Sequence, residues 1–270
     1  MGAWPELPWR AWGPTVTTLH LWLQVVGKVR MALTPPLDHW WHITLYVTAR
    51  GLTTSPIPIA GRTFQVDLDF IDHRLDITDT EGRAFAMKLE PMSVAAFYRA
   101  FMAGLRGLGI EVEIRTLPSD VLDPVPFEAD ELHASYDPTH AHLLWRELFQ
   151  ADRLMKEFQG GFEGEASPVH LYWGSFDLAS SRFSGRPGEE SAIGWWPASE
   201  PPGPAFYAYT LPAPEGIASA PIRPPEAFWS TQFGEFLLPN DAIGSASDPD
   251  ARVLEFFQST YEAGGWGIMR

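Results

Sequence analysis

His20, Gln24 and Lys28 recur at a spacing of four residues, so on a helix they form one polar stripe of an imidazole, an amide and an ammonium. Such a set suits proton transfer at the histidine and capture of an anion at the lysine, because a lysine withdrawn from water has to be paired or shift its pKa. A second row follows it. In an extended segment, period two places His42, Thr44, Tyr46, Thr48 and Arg50 on one face, and that face is expected to meet the helical stripe and grip a carboxylate or phosphate. In this reading His20, His42 and Tyr46 stand at the reacting centre, and Trp22, Gln24, Lys28, Arg30, Thr48 and Arg50 surround the ligand. Each row also has a plainer explanation. The stripe can be the wet side of a packed helix, and the polar strand face can be the wet side of an antiparallel sheet.

The second half of the chain carries a weaker echo. Lys156 precedes His170 by the same interval that separates Lys28 from His42, which suggests an internal duplication. There His170 and Tyr172 share a strand face, and the run 177–186, with Arg182 and Arg186 among three serines and Gly185, reads as an anion-holding loop of N–H groups and guanidiniums. Metal ligation is poorly supported, since Asp38-His39-Trp40-Trp41-His42 and His140-Ala141-His142 lack a third ligand of fixed spacing. Asp67, Asp69 and Asp72-His73 form an acidic strand end suited to acid–base work or simply to solvation. No phosphate-loop, dinucleotide or nucleophile-elbow motif is present in the sequence.

The elements that must position these residues follow from patterning. A helix over 15–33 is apolar nearly all round, preceded by a Trp- and Pro-rich strap (Trp4, Pro5, Pro8, Trp9, Trp12, Pro14) and ended by Thr34-Pro35-Pro36. Strands are expected over 41–49, 51–58, 64–70 and 110–115, with a hairpin over 74–89 and a helix from the Ser93 cap to 108. In the second half a helix over 138–158 starts after Asp137-Pro138. Strands over 169–178, 206–211 and 233–238 and a helix over 249–263 complete it, Gly264 to Ile268 matching Gly107 to Ile110 as a closing segment, and 185–204 reads as an inserted loop. The fold class is therefore α+β with antiparallel sheet and packed helices, as two related helix–strands–helix halves around a pseudo-two-fold axis. The halves cover 1–116 and 136–270, joined by a linker over 117–135.

Composition narrows the partners. At 270 residues with 45% hydrophobic and 13% aromatic content, the chain can build a large core. The formal charge of −15 disfavours nucleic acid and anionic membranes, whose binding rests on Lys and Arg. No apolar run reaches the ~20 residues of a membrane span, and the N-terminus lacks a signal-peptide layout, so a cytoplasmic location is expected. Zero cysteines exclude disulfides and thiolate chemistry.

Long motifs carry a resemblance. Gln24-Val25-Val26-Gly27-Lys28-Val29-Arg30, Leu45-Tyr46-Val47-Thr48-Ala49-Arg50-Gly51-Leu52-Thr53-Thr54-Ser55-Pro56, Phe70-Ile71-Asp72-His73, Ser167-Pro168-Val169-His170 and Trp173-Gly174-Ser175-Phe176-Asp177-Leu178 resemble a bacterial family of uncharacterised proteins, domain of unknown function 5996. The resemblance spans essentially the whole chain and implies no reaction, cofactor or catalytic residue. The leading expectation is thus an anionic-metabolite binder or enzyme with a pocket between the first helix and first strand, its cofactor and oligomeric state open. The alternatives are a non-catalytic interaction or homo-oligomerising module using exposed tryptophans, and a histidine metal site.

Overall fold

The computed structural model describes Trp4, residues 7–198 and residues 203–266, the side chain of Trp9 excepted. The Pro5 of the expected strap, Gly267-Ile268 of the closing segment and residues 199–202 of the expected loop lie outside them. The fold is α+β. Among the described residues there are five α-helices and two antiparallel sheets, and none of the helices is long and apolar enough to cross a membrane. The chain divides into two compact units, one of Ala11–Trp145 with Leu171–Phe176, the other of Met1–Arg10, Arg146–His170 and Asp177–Arg270.

The first unit is organised around α1 (Trp9–Leu33), which is buried all round from Leu21 to Arg30. Trp22 stacks on Phe97 at 4.7 Å and on Tyr136 at 5.6 Å. The sheet contains β1 (Tyr46–Val47), β2 (Gly51–Thr53), β3 (Ile57–Ile59), β4 (Arg62–Asp69), β5 (Arg74–Asp79) and β6 (Ala84–Lys88) in the order β1-β2-β4-β5-β6, with β3 also on β4. Strand β4 owes its place to alternation: Phe64, Val66 and Leu68 are buried on one face. Helix α2 (Val94–Gly107) starts where the Ser93 hydroxyl accepts the Ala96 N–H at 3.1 Å.

The second unit takes most of α3 (Pro138–Gly160), whose start is set by Asp137 accepting the Thr139 and His140 N–H groups and by Pro138 at the first helical position. Its strands are β8 (Asp177–Phe183), β9 (Glu190–Trp196), β10 (Ala205–Leu211), β11 (Phe228–Ser230) and β12 (Glu235–Pro239), ordered β11-β12-β10-β9-β8, while the short β7 (His170–Tyr172) falls where the chain passes from one unit to the other. Two helices close it, α4 (Asn240–Gly244) and α5 (Pro249–Ala263), the latter packed on β10 and β12 with Phe257 against Phe206. In chain order a long helix precedes six strands twice, with one helix closing the first run and two closing the second. The strand orders of the two sheets differ, so the repetition does not extend to their topology.

Four expectations are corrected. Helix α1 starts at Trp9, not at residue 15, and carries Pro14 inside it. The proline costs an intrahelical bond, while the helical path buries Trp12 completely. Residues 41–49 are not one strand: His39 and Trp40 have φ of 52° and 59°, a turn follows, and only Tyr46–Val47 is extended in a ladder. Residues 110–115 are irregular. Last, β8 and β9 run through the supposed anion loop over 177–186 and the supposed insertion over 185–204. Strand β9 escaped notice because a strand buried on both faces shows no alternation.

Candidate functional site

The stripe on α1 faces protein, not water. Gln24 is fully buried and grips Ser119 with both ends of its amide: Oε1 accepts the Ser119 N–H at 2.7 Å, and Nε2 donates to the Ser119 carbonyl at 2.8 Å. His20 lies 2.9 Å through Nε2 from the Gly174 carbonyl. The same Nε2 lies 3.0 Å from the Gln24 amide nitrogen, a donor, so its two neighbours ask opposite roles of one ring nitrogen. The imidazole stacks on Phe176 at 4.8 Å, and burial lowers its pKa against the opposing pull of the Gly174 and Trp173 carbonyls and of Asp120.

Lys28 completes the stripe and differs from it. Only 2% exposed, it donates to the Ser119 hydroxyl at 3.1 Å, and its ammonium sits 5.6 Å from the centre of the Trp173 ring. No carboxylate of the described residues forms an ion pair with it. Burial lowers its pKa, the Arg115 charge lowers it further, and Asp120 opposes both. Its surroundings open outward, since Arg115 and Asp120 are exposed and Ser119 half-buried. Two residues here, Asp120 and Phe176, hold φ of 53° and 60°, a conformation costly for residues with a Cβ and concentrated at functional sites. Gly27 lets Trp173 in: a Cβ there would lie 2.2 Å from the indole.

The other predicted residues lie elsewhere in the first unit or in the second. His42 is buried, and its Nδ1 accepts the Leu37 N–H at 3.1 Å. Arg30 is turned to the same bend, donating to the His42 carbonyl at 2.8 Å with its guanidinium 5.7 Å from the Tyr46 ring. Thr48 accepts the Arg50 and Gly51 N–H groups, and Arg50 pairs with Asp69 at 2.5 Å and Asp72 at 2.7 Å. The helical stripe meets residues 119 and 174 instead of this row. Trp22 is core, stacked as described. In the second unit His170 is buried and its pKa pushed down to about 4 by that burial, while Arg182 lies on β8, inside an aromatic cleft.

Sequence reasoning missed Arg115, Ser119 and Asp120, which sit in an irregular stretch without periodicity, and it placed Trp173 to Phe176 on a strand where the chain turns. The one signal, for Trp173, was Gly27 beside the stripe, a request for close approach by another element. No group of three or more His, Asp or Glu among the described residues is arranged to hold a metal ion. Among the described tryptophans with a placed side chain, only Trp40 is exposed.

No curated protein and no solved structure matches the chain. Residues 4–266 match the family of unknown function DUF5996, and the chain belongs to that family.

Proposed function

We propose that this protein binds a small anionic molecule, a carboxylate or phosphate metabolite, at Lys28, with the Ser119 hydroxyl and Arg115 beside it. The observation that supports this reading is the ammonium of Lys28, buried with a hydroxyl and an indole face for company and no carboxylate partner. A charge withdrawn from water is costly unless paired. A second cation, Arg115, makes that cost larger. An anion entering from the exposed side of residues 115–120 relieves both. Gln24 and His20 act through position, Gln24 holding Ser119 and His20 lying against the Gly174 carbonyl. The formal charge of −15 repels polyanions, which favours a small ligand over nucleic acid.

The test is a thermal-shift screen of the full chain against phosphorylated and carboxylated metabolites, repeated on Lys28→Met, which retains most of the apolar stem. A ligand present at about 100 times its Kd stabilises the folded state by about 2.7 kcal/mol. Hits that vanish in Lys28→Met support the site. A screen without anionic hits, or hits that persist undiminished in Lys28→Met, would sink the proposal.

A further inference from the structure

A second candidate lies within the second unit. A cleft of about 700 Å³ opens there, lined among others by Phe158, Phe162, Arg182, Tyr261 and Trp266. Its volume falls in the ~300–1,000 Å³ range of small-molecule pockets. Arg182, on β8, is only 6% exposed, and its guanidinium carbon lies 3.7 Å from the centre of the Phe158 ring and 4.7 Å from those of Phe162 and Tyr261. The rings cover its faces; its edges do the hydrogen bonding. Nε donates to Gln159 Oε1 at 2.9 Å and Nη2 to the Phe158 carbonyl. Gln159 is itself anchored on the Ser180 hydroxyl at 2.5 Å. The guanidinium is thus locked in orientation by neutral partners alone, and no carboxylate of the described residues forms an ion pair with it.

Donor arithmetic gives this arginine spare capacity. A guanidinium has five N–H groups, of which Gln159 and the Phe158 carbonyl take two. Even if the Tyr261 hydroxyl takes a third, two N–H groups remain, enough for the two oxygens of one carboxylate. The rim carries negative charge: Glu163 lines the cleft, and Ser184, another lining residue, donates to Glu189 at 2.7 Å. A dianion is repelled by that rim, and a single charge on a flat apolar body suits the walls.

We infer that the Arg182 cleft binds a monoanionic aromatic carboxylate, its carboxylate on the guanidinium edge and its ring against the Phe162, Tyr261 and Trp266 walls. Gly164 supports the shape, because a Cβ there would lie 2.4 Å from the tip of the Phe162 ring.

Calorimetry and thermal shift on the full chain test this with indole-3-acetate, its neutral isostere indole-3-acetamide, and inorganic phosphate. The acid is expected to bind at least about tenfold more tightly than the amide, about 1.4 kcal/mol, and phosphate to leave the melting temperature of Lys28→Met unchanged. Arg182→Met should abolish the difference between acid and amide. Since that arginine is buried and its loss could unfold the unit, Gln258→Trp, at an exposed lining position, provides the folded control. It should fill the mouth and weaken the acid about tenfold with an unchanged circular dichroism spectrum. Lys28→Met should retain the indole-3-acetate shift, which separates this site from the first. Equal binding of acid and amide, no shift with the acid, or undiminished binding in Gln258→Trp would each overturn the inference.

Discussion

Gln24 holds Ser119 at both backbone groups, accepting its N–H at 2.7 Å and donating to its carbonyl at 2.8 Å. One amide on a buried helix thereby fixes an irregular segment distant in sequence, and with it the hydroxyl that Lys28 touches. Replacing Gln24 by Leu removes both bonds while retaining the volume. The expected loss is about 2–3 kcal/mol in urea unfolding, with faster amide exchange across residues 115–120. Unchanged exchange there would show that the segment is held by other contacts.

Lys28→Met is expected to leave the unliganded protein as stable as the parent or more stable by about 1 kcal/mol, because it removes a buried charge that no carboxylate pairs. A structural lysine gives the opposite sign. Denaturant unfolding at neutral pH without added anions reads the difference.

Glu147 has a signature in pH. It is fully buried; Oε2 accepts from Asn240 at 2.6 Å, Oε1 has no hydrogen-bond partner, and burial pushes its pKa up to about 8. The folded state therefore retains a proton that the unfolded chain releases near ~4.3. The associated stability is fully present below that value and is lost as pH rises towards 8, at up to about 1.4 kcal/mol per pH unit. Glu147→Gln should flatten the stability profile in that window, and a mutant profile parallel to the parent's would refute the assignment.

His170 acts in the other direction. Its folded pKa of about 4 lies below the ordinary value of 6.5, so its contribution is present above 6.5 and fades as pH falls through 4. NMR titration of the imidazole should show it neutral at pH 6. A charged ring at that pH would contradict its burial.

Gly27→Ala is expected to destabilise the first unit by about 1–3 kcal/mol. The new Cβ would lie 2.2 Å from Trp173, whose indole is tied to the Ile43 carbonyl at 2.8 Å and cannot swing away freely. Gly107→Ala, at the end of α2 with nothing within 4 Å of its Cβ, is the matched control and should be neutral or stabilising by about 0.5 kcal/mol. Thermal melts of the pair decide it.

The sequence by itself determined the pieces governed by local rules. Alternation fixed β4, the Ser93 and Asp137 caps fixed the starts of α2 and α3, and the four-residue spacing put His20, Gln24 and Lys28 on one stripe. These depend on neighbours along the chain, which a sequence displays. What the stripe faces did not follow, because a buried polar side chain takes its partner from wherever the backbone arrives. Tertiary structure supplied Ser119 and Gly174 from segments without periodicity, and the bend at His39 and Trp40 broke the polar row from His42 to Arg50. It likewise turned the presumed loop around Arg182 into a strand and drew three aromatic rings from α3, α5 and the segment after α3 around one guanidinium. The residue types were legible in the chain. Their company was decided by packing, since long-range contacts obey volume and hydrogen-bond satisfaction, not sequence spacing.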